Sequence, residues 1–477
     1  MKSLLKNHLF GVICTILILL CTLGFVVLLG VVAFLPLKYF LLAATFLLMC
    51  ALILCLLVCD RQSRGRRVFG TVLALVFLLG EGLAGYMLGA GVDTLNKISS
   101  PKMEYAEFGV YVRSDDPAKS LEEAKDYLFG ILDPQDRATT DRALKKLGEK
   151  IGTEPKFKMY SGVDGLMDAI LQTKEVDAVL LNKGFIDLLT ELPGHEKDME
   201  GLRELHSLQA ETDIPVKEET EASDKVFTVF ISGIDNRGGL IRKSRSDVNI
   251  LATVNVETGK VLLVSTPRDY FVPLSISNGI PDKLTHAGIY GVDVCRDTIG
   301  MLYGVEVDYY FRVNFSGFER IIDALGGITV HSNYTFTAGT YQITKGANDL
   351  DGKEALAFSR ERKRVPGGDR QRGIHQMEVI SAVITKLTSP ALLKNYTEVL
   401  NGISTCFETD MSYDTIASLV RRQLEKGTGW TVTSFAVNGK GATRKPYSLA
   451  TKAYVMIPDE KTVEQAKQMI SDLKDGK

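Results

Sequence analysis

The sequence predicts an α/β fold: an α-β-α sandwich with a central mixed sheet, preceded by three transmembrane helices and a smaller α/β domain. Three observations carry this reading. Long apolar stretches fill the chain up to about residue 90, and residues 105–205 alternate short apolar runs with amphipathic ones. After residue 225, runs such as VFTVFISGI and VLLVS are apolar enough to mark strands buried on both faces. With 477 residues there is room for about three domains. We expect helices over 1–90, an accessory domain over 104–205, a linker over 206–225, a main domain over 226–390 and a C-terminal part packed on it over 391–477.

Leu9 to Leu35, Leu37 to Val58 and Val68 to Ala90 each supply the ~20 helical residues that a hydrocarbon layer requires. A cleaved signal would have an apolar region of only ~7–15 residues, without two further spans directly behind it. Lys2 and Lys6 precede the first span and Arg61, Arg64, Arg66 and Arg67 crowd the loop after the second, while Leu35 to Lys38 is nearly bare. The amino terminus and the Arg loop are therefore expected in the cytoplasm, and everything after about Ala90 outside the cell membrane. Glu81 lies inside the third span, where a carboxylate is a functional candidate by default and a protonated or helix-paired Glu is the simpler account. Cys14, Cys21, Cys50, Cys55 and Cys59 lie in or beside the spans, which leaves Cys295 and Cys406 for at most one outer bridge.

In the accessory region, strands are expected at Phe108 to Val112, Phe157 to Tyr160 and Val176 to Leu181, and helices at Ser120 to Leu128, Arg142 to Ile151 and Val163 to Thr173. The acid-rich Gln209 to Lys225 has almost no apolar periodicity, as a linker should. Strands follow at Val226 to Ile234, Val248 to Val256, Val261 to Thr266, Tyr309 to Val313, Ile328 to His331, Trp430 to Ala436 and Ala453 to Ile457. Helices are expected at Lys283 to Leu302, Ser316 to Leu325, Gly352 to Phe358, Asp369 to Leu387, Tyr413 to Leu424 and Thr462 to Leu473.

Charged residues gather at the ends of the buried strands, where α/β folds collect ligands. Asp235 ends the first in ISGIDNRGG, Arg245 and Asp247 stand two apart at the mouth of the second, and Arg268 follows the third in STPRDYF. The densest run is LAFSRERKRVPGGDRQRGIHQ. Arg360 and Arg362 converge only if that piece is extended, whereas Asp369, Arg372 and Gln376 lie along one helical face. Arginine matches phosphate oxygens with paired hydrogen bonds and a charge that cannot be titrated away. Arg245, Arg268, Arg360, Arg362 and Arg372 suit a diphosphate, and Asp235 with Asp247 suits a hard cation such as Mg2+. The competing account is a solvated basic face with simple ion pairs. His286, His331 and His375 lack ligand spacing, and the chain has no GxSxG elbow and no GxxxxGK[ST] loop.

These residues carry a resemblance. GxD at Gly233 to Asp235, RSD at Arg245 to Asp247, PRD at Pro267 to Asp269, FxRxR at Phe358 to Arg362 and GDxxRxxxQ at Gly368 to Gln376 are similar to the pattern of the LytR-CpsA-Psr family. LGGIxV at Leu325 to Val330 and LDGxxAL at Leu350 to Leu356 agree with it, while Ser359 and the KRVP segment depart from it slightly. The resemblance implies a membrane-anchored, extracytoplasmic transferase of a Gram-positive-type cell. Such an enzyme moves a capsular or teichoic-acid-like glycopolymer from an undecaprenyl diphosphate carrier to peptidoglycan, and the resemblance leaves room for lipid pyrophosphatase activity and for capsule-assembly proteins as further partners. It implies catalytic roles for Arg268, Arg360, Arg362, Asp369 and Arg372, with Asp369 orienting Arg372 or acting as a base. It also implies substrate binding by Arg245, Arg268, Arg360, Arg362, Arg372 and Gln376, Mg2+ at Asp235 and Asp247, and an apolar slot for the isoprenoid.

Two other functions compete. A non-catalytic binder of lipid-linked glycan that regulates capsule synthesis would use the same arginines. A DNA-binding regulator fits poorly, because only eight of the 56 basic residues and three of the 58 acidic ones lie before residue 101, so the large outer part is mildly acidic. No nucleic-acid partner is expected.

Overall fold

Three long helices open the computed structural model, which describes residues 2–32, 35–60, 62–99, 103–133, 137–190, 192–213, 225–234, 243–389, 406–427 and 429–477. They are α1 (Lys2–Val32), α2 (Leu37–Val58) and α3 (Arg64–Ser99). Within them Phe10–Val32, Leu37–Val58 and Arg64–Asp93 are long and apolar enough to cross a membrane. Ile18, Ala51, Leu54, Cys55, Val58 and Ala74 pack between the helices, and Gly70 allows close approach, since a Cβ there would lie 2.6 Å from Leu57 Cβ. Glu81 is buried beside Thr22. The chain forms two compact units. One joins these helices to Met411–Gly429, and the other holds Ser100–Leu393, Thr405–Asp410 and Trp430–Lys477.

The second unit begins with β1 (Met103–Arg113), β2 (Leu128–Leu132), α4 (Arg137–Ile151), β3 (Lys156–Tyr160), α5 (Val163–Leu171), β4 (Ala178–Asn182), α6 (Ile186–Leu189) and β5 (Leu202–Asp213). The sheet order is β3-β2-β4-β1-β5, with β2 parallel to β3 and β4, and β1 antiparallel to β4 and β5. Ala143, Leu144, Leu147 and Ile151 form one stripe of α4 that buries Phe108, Val110, Phe129 and Leu180. Two expectations change here. Ser120 to Leu128 is a series of turns, not a helix, with Ala124 N–H bonded to Leu121 O and Tyr127 N–H to Ala124 O. The reason is that Leu128 starts a central strand, and the Tyr127 hydroxyl is tied to Asp116 at 3.0 Å. The expected linker is strand up to Asp213, paired in register with β1, and residues 214–224 lie outside the described residues.

The main sheet follows from β6 (Val226–Ile234), β7 (Ser246–Asn255) and β8 (Lys260–Ser265), then β9 (Phe271–Pro273), β10 (Pro281–Lys283), α7 (Ala287–Tyr290), α8 (Val292–Tyr303), β11 (Tyr309–Asn314) and α9 (Phe315–Ala324). The chain continues through β12 (Ile328–Ser332), β13 (Phe336–Ala338), β14 (Tyr341–Ile343), β15 (Gly346–Leu350), α10 (Gly352–Arg360) and α11 (Gly368–Leu387). It ends with β16 (Phe407–Thr409), α12 (Tyr413–Lys426), β17 (Thr431–Ala436), β18 (Gly439–Arg444), β19 (Ala453–Pro458) and α13 (Glu460–Lys474). Strand order is β16-β11-β6-β7-β8-β17, a mixed sheet in which β11 and β17 run parallel to their inner neighbours. The late strand β17 is thus part of the sheet itself, while α12 belongs to the helical unit, where the Tyr413 hydroxyl donates to Val32 O at 2.9 Å.

Alternation along the strands sorts the two faces. Ile250, Ala252 and Leu263 meet Met377 and its neighbours on α11, whereas Leu251, Leu262 and Val264 share a core with Ile299 of α8 and with Val463, Ala466 and Ile470 of α13. The sheet is therefore covered on both sides, as its apolar runs require. The helix expected over Lys283 to Leu302 is broken. Lys283 ends β10, and Gly291, with φ 143°, separates α7 from α8. Cys295 and Cys406 are both buried.

Candidate functional site

Antiparallel pairing of β7 with β8 brings the start of one and the end of the other to the same sheet edge, and parallel β17 ends there too. Asp247 thus comes beside Ser265, Thr266, Pro267 and Arg268, with Ala436 and Val437 as a wall. The amino end of α11 closes the cleft with Asp369, Arg370, Arg372, Gly373 and Gln376. Gly373 makes this possible, because a Cβ would lie 2.4 Å from Ser265 Oγ.

Asp247 is the hub. Its Oδ1 accepts from Arg268 Nη1 at 3.0 Å and from Thr285 Oγ1 at 3.0 Å. Burial pushes the Asp247 carboxyl up, but Arg268, Arg245 and Arg372 outweigh it and hold the group below the usual carboxylate range. Arg372 Nη2 stands 2.6 Å from Asp369 Oδ1, one helical turn away. Burial lowers the Arg372 pKa, Asp369 pulls it back, and Arg268 and Arg362 lower it further. Four of the five arginines therefore act on one locus. Arg245 also lies 3.9 Å from Asp187 of the accessory domain.

Arg360 is placed differently. Helix α10 runs through it, and its guanidinium lies 4.2 Å above the centre of the Phe315 ring. Glu361 is extended but Arg360 is still helical, and Arg360 rests on Phe315 while Arg362 acts on Arg372. Gln376 lines the cleft, and its Nε2 donates to Ser359 O at 3.4 Å. Asp235 lies outside the described residues. Among the described residues no group of three or more His, Cys, Asp or Glu could hold a metal, which leaves Asp247 as one carboxylate able to share a hard cation with substrate oxygens.

Four residues at or beside the cleft escaped sequence reasoning. Lys283 Nζ lies 3.5 Å from Asp269 Oδ1, Thr285 bonds Asp247, and Thr266 and Arg370 line the wall. Arg370 stood in plain view beside Asp369, off the chosen helical face. Lys283 and Thr285 come from a short strand and turn that packs in from a distance, for which local spacing holds no signal.

The LytR_cpsA_psr family model matches residues 197–471. The chain is 36% identical over 190 residues to the polyisoprenyl-teichoic acid–peptidoglycan teichoic acid transferase TagU of Enterococcus faecalis, covering 39% of this chain and 62% of that protein. It is 36% identical over 189 residues to TagU of Bacillus subtilis, covering 39% and 61%. The chain thus spans about three fifths of the length of these curated relatives. Among solved structures, B. subtilis TagV is similar at 25% identity and a TM-score of 0.45, covering 52% of this chain and 97% of that one.

Proposed function

The chain belongs to the LytR_cpsA_psr family, and from that premise we propose that it transfers a glycopolymer from a polyprenyl diphosphate carrier, undecaprenyl diphosphate, to peptidoglycan. The supporting observation is the convergence of Arg245, Arg268 and Arg372 on Asp247 at one sheet edge, with Arg362 near enough to act on Arg372. A surplus of fixed cations in a partly buried cleft is what a diphosphate needs, and it explains why these side chains are held together against their mutual repulsion.

In this reading an acceptor hydroxyl of the wall glycan forms a bond to the sugar-side phosphorus while the bond to the lipid phosphate breaks. The lipid monophosphate leaves with the electron pair, its growing charge met by Arg268 and Arg372. The hydroxyl proton passes to Asp369, whose other oxygen orients Arg372. Arg245, Arg362 and Gln376 hold the ground-state diphosphate and adjacent groups. Mg2+ held by Asp247 and Asp235 would supply Lewis-acid polarisation of a phosphoryl oxygen. The three apolar helices keep the cleft close to a substrate confined to the bilayer, which raises its local concentration. The amino terminus and the Arg61–Arg67 loop lie on the cytoplasmic side, and the second unit on the outer side.

The test is turnover of a synthetic lipid-diphosphate glycan by the full chain in membranes, with peptidoglycan as acceptor. R268A and R372A should each lower release of lipid monophosphate by about 10²–10³-fold, and R360A by much less, since Arg360 is occupied with Phe315. A wild-type chain that binds the lipid and releases nothing would sink the transferase reading in favour of a binder.

A further inference from the structure

The accessory sheet has the layout in which open α/β sheets bind ligands beyond the carboxyl ends of parallel strands, here β3, β2 and β4. Just past the carboxyl end of β3 the protein places a segment of its own. This is residues 447–451, from the connection between β18 and β19. Asp164, in the first turn of α5 and 1% exposed, accepts the backbone N–H of Ala450 at 2.7 Å and of Thr451 at 2.8 Å. Gly162, with φ 87°, permits the approach, because a Cβ there would lie 2.2 Å from Ala450 N. Leu449 is buried in the same core as Leu132, Val163 and Leu166.

The other side of this segment is bonded to the main domain. Tyr447 N–H donates to Pro281 O at 3.0 Å. Ser448 donates to Asp282 Oδ2 twice, from its N–H at 3.1 Å and from its hydroxyl. Asp282, completely buried, meets His286 Nδ1 at 2.7 Å with its other oxygen. Between Asp282 and His286 stand Lys283 and Thr285, the residues that reach Asp269 and Asp247. Beyond this segment the chain forms β19, whose Met456 N–H donates to Asp269 O at 2.7 Å. The strap therefore touches the accessory domain and the turn that carries Thr285, and the strand it leads into touches the loop that carries Arg268.

We propose that residues 447–451 are an internal ligand of the accessory domain, and that their seating at Asp164 holds Lys283, Thr285 and Arg268 in the geometry that binds the anion. Asp164, Ser448 and Asp282 are then positioning residues, acting through the strap and touching no substrate. The inference rests on the diphosphate reading of the cleft. Its physical basis is that buried acceptors such as Asp164 and Asp282 fix their donors tightly, since water cannot replace them.

The experiment uses the full chain in lipid nanodiscs, with geranylgeranyl diphosphate as probe and calorimetry as readout. D164A should bind the probe about tenfold more weakly, the effect of losing buried hydrogen bonds. A disulfide can then replace the lost bonds. A Cβ on Gly165 lies 3.7 Å from Ala450 Cβ, within the range of about 3.5–4.5 Å that a disulfide spans. Oxidised D164A/G165C/A450C should recover affinity to within about twofold of wild type, and reduction should abolish the recovery. Should D164A not fold, S448A leaves the accessory domain intact and should weaken binding about threefold. A folded D164A or S448A chain with wild-type affinity, or no recovery on oxidation, overturns the inference alone. Failure of the wild-type chain to bind overturns the proposed function and this inference with it.

Discussion

His375 shows how a single side chain ties the cleft helix to the fold. It is 2% exposed and stacked against both Phe336 and Phe358, with centroids 5.4 and 4.3 Å away. Burial pushes the imidazole down to about 4, against the pull of the Phe358 carbonyl. The native state therefore keeps it neutral, while the unfolded chain takes up a proton near pH 6.5. Stability from this residue is complete above that value and is lost as pH falls from about 6.5 to about 4, by up to about 3 kcal/mol. H375F should melt with a flatter dependence on pH between 7 and 4.5, and thermal unfolding with the wild-type slope would remove the assignment. At this scale Asp247, Arg268, Asp369 and Arg372 were legible because they flank strands and a helix whose apolar patterns are strong. Arg360 was not, because its orientation depends on where α10 stops, and Thr285 was not, because its partner is 38 residues away.

Among elements, α11 matters most, since it carries Asp369, Arg372 and Gln376 on one face and packs Met377 into the sheet on the other. Its distance from β8 is set by Gly373. G373A should push α11 off Ser265, cost about 1–3 kcal/mol of stability and weaken diphosphate binding; denaturant midpoints and probe titration measure the two effects. Unchanged values for both would mean the helix rests elsewhere. Strands β6, β7 and β8 were readable because burial on both faces demands an unbroken apolar run. The three-residue strands β9, β10, β13 and β14 were not, since pieces so short carry no period and exist only through their partners. Turns at Ser120 to Leu128 misled in the opposite direction, having helix-forming residues where the chain needed to reach a strand.

For the whole molecule, the proposed orientation rests on the positive charges around the spans. In a chain whose native cysteines are replaced, a membrane-impermeant maleimide should label K440C on intact cells and S63C only after the membrane is opened. The reverse pattern would place the cleft on the wrong side for an outer-face transferase, and labelling of both on intact cells would overturn the three-crossing topology. The sheet's strand order, unlike its strands, could not be read from the sequence. Both edges, β16 and β17, come from the last part of the chain, and no local pattern announces which inner strand each will join.

That late arrival of the edges bears on how the protein is made. A ribosome that has yet to translate past Trp430 has already produced every arginine of the cleft, but not Ala436 and Val437, which wall it, nor the strap that seats on Asp164. Nascent chains thus carry the charges without the enclosure. Assembly must wait for the final stretch of polypeptide to thread back against β8, a long-range closure of the slow kind.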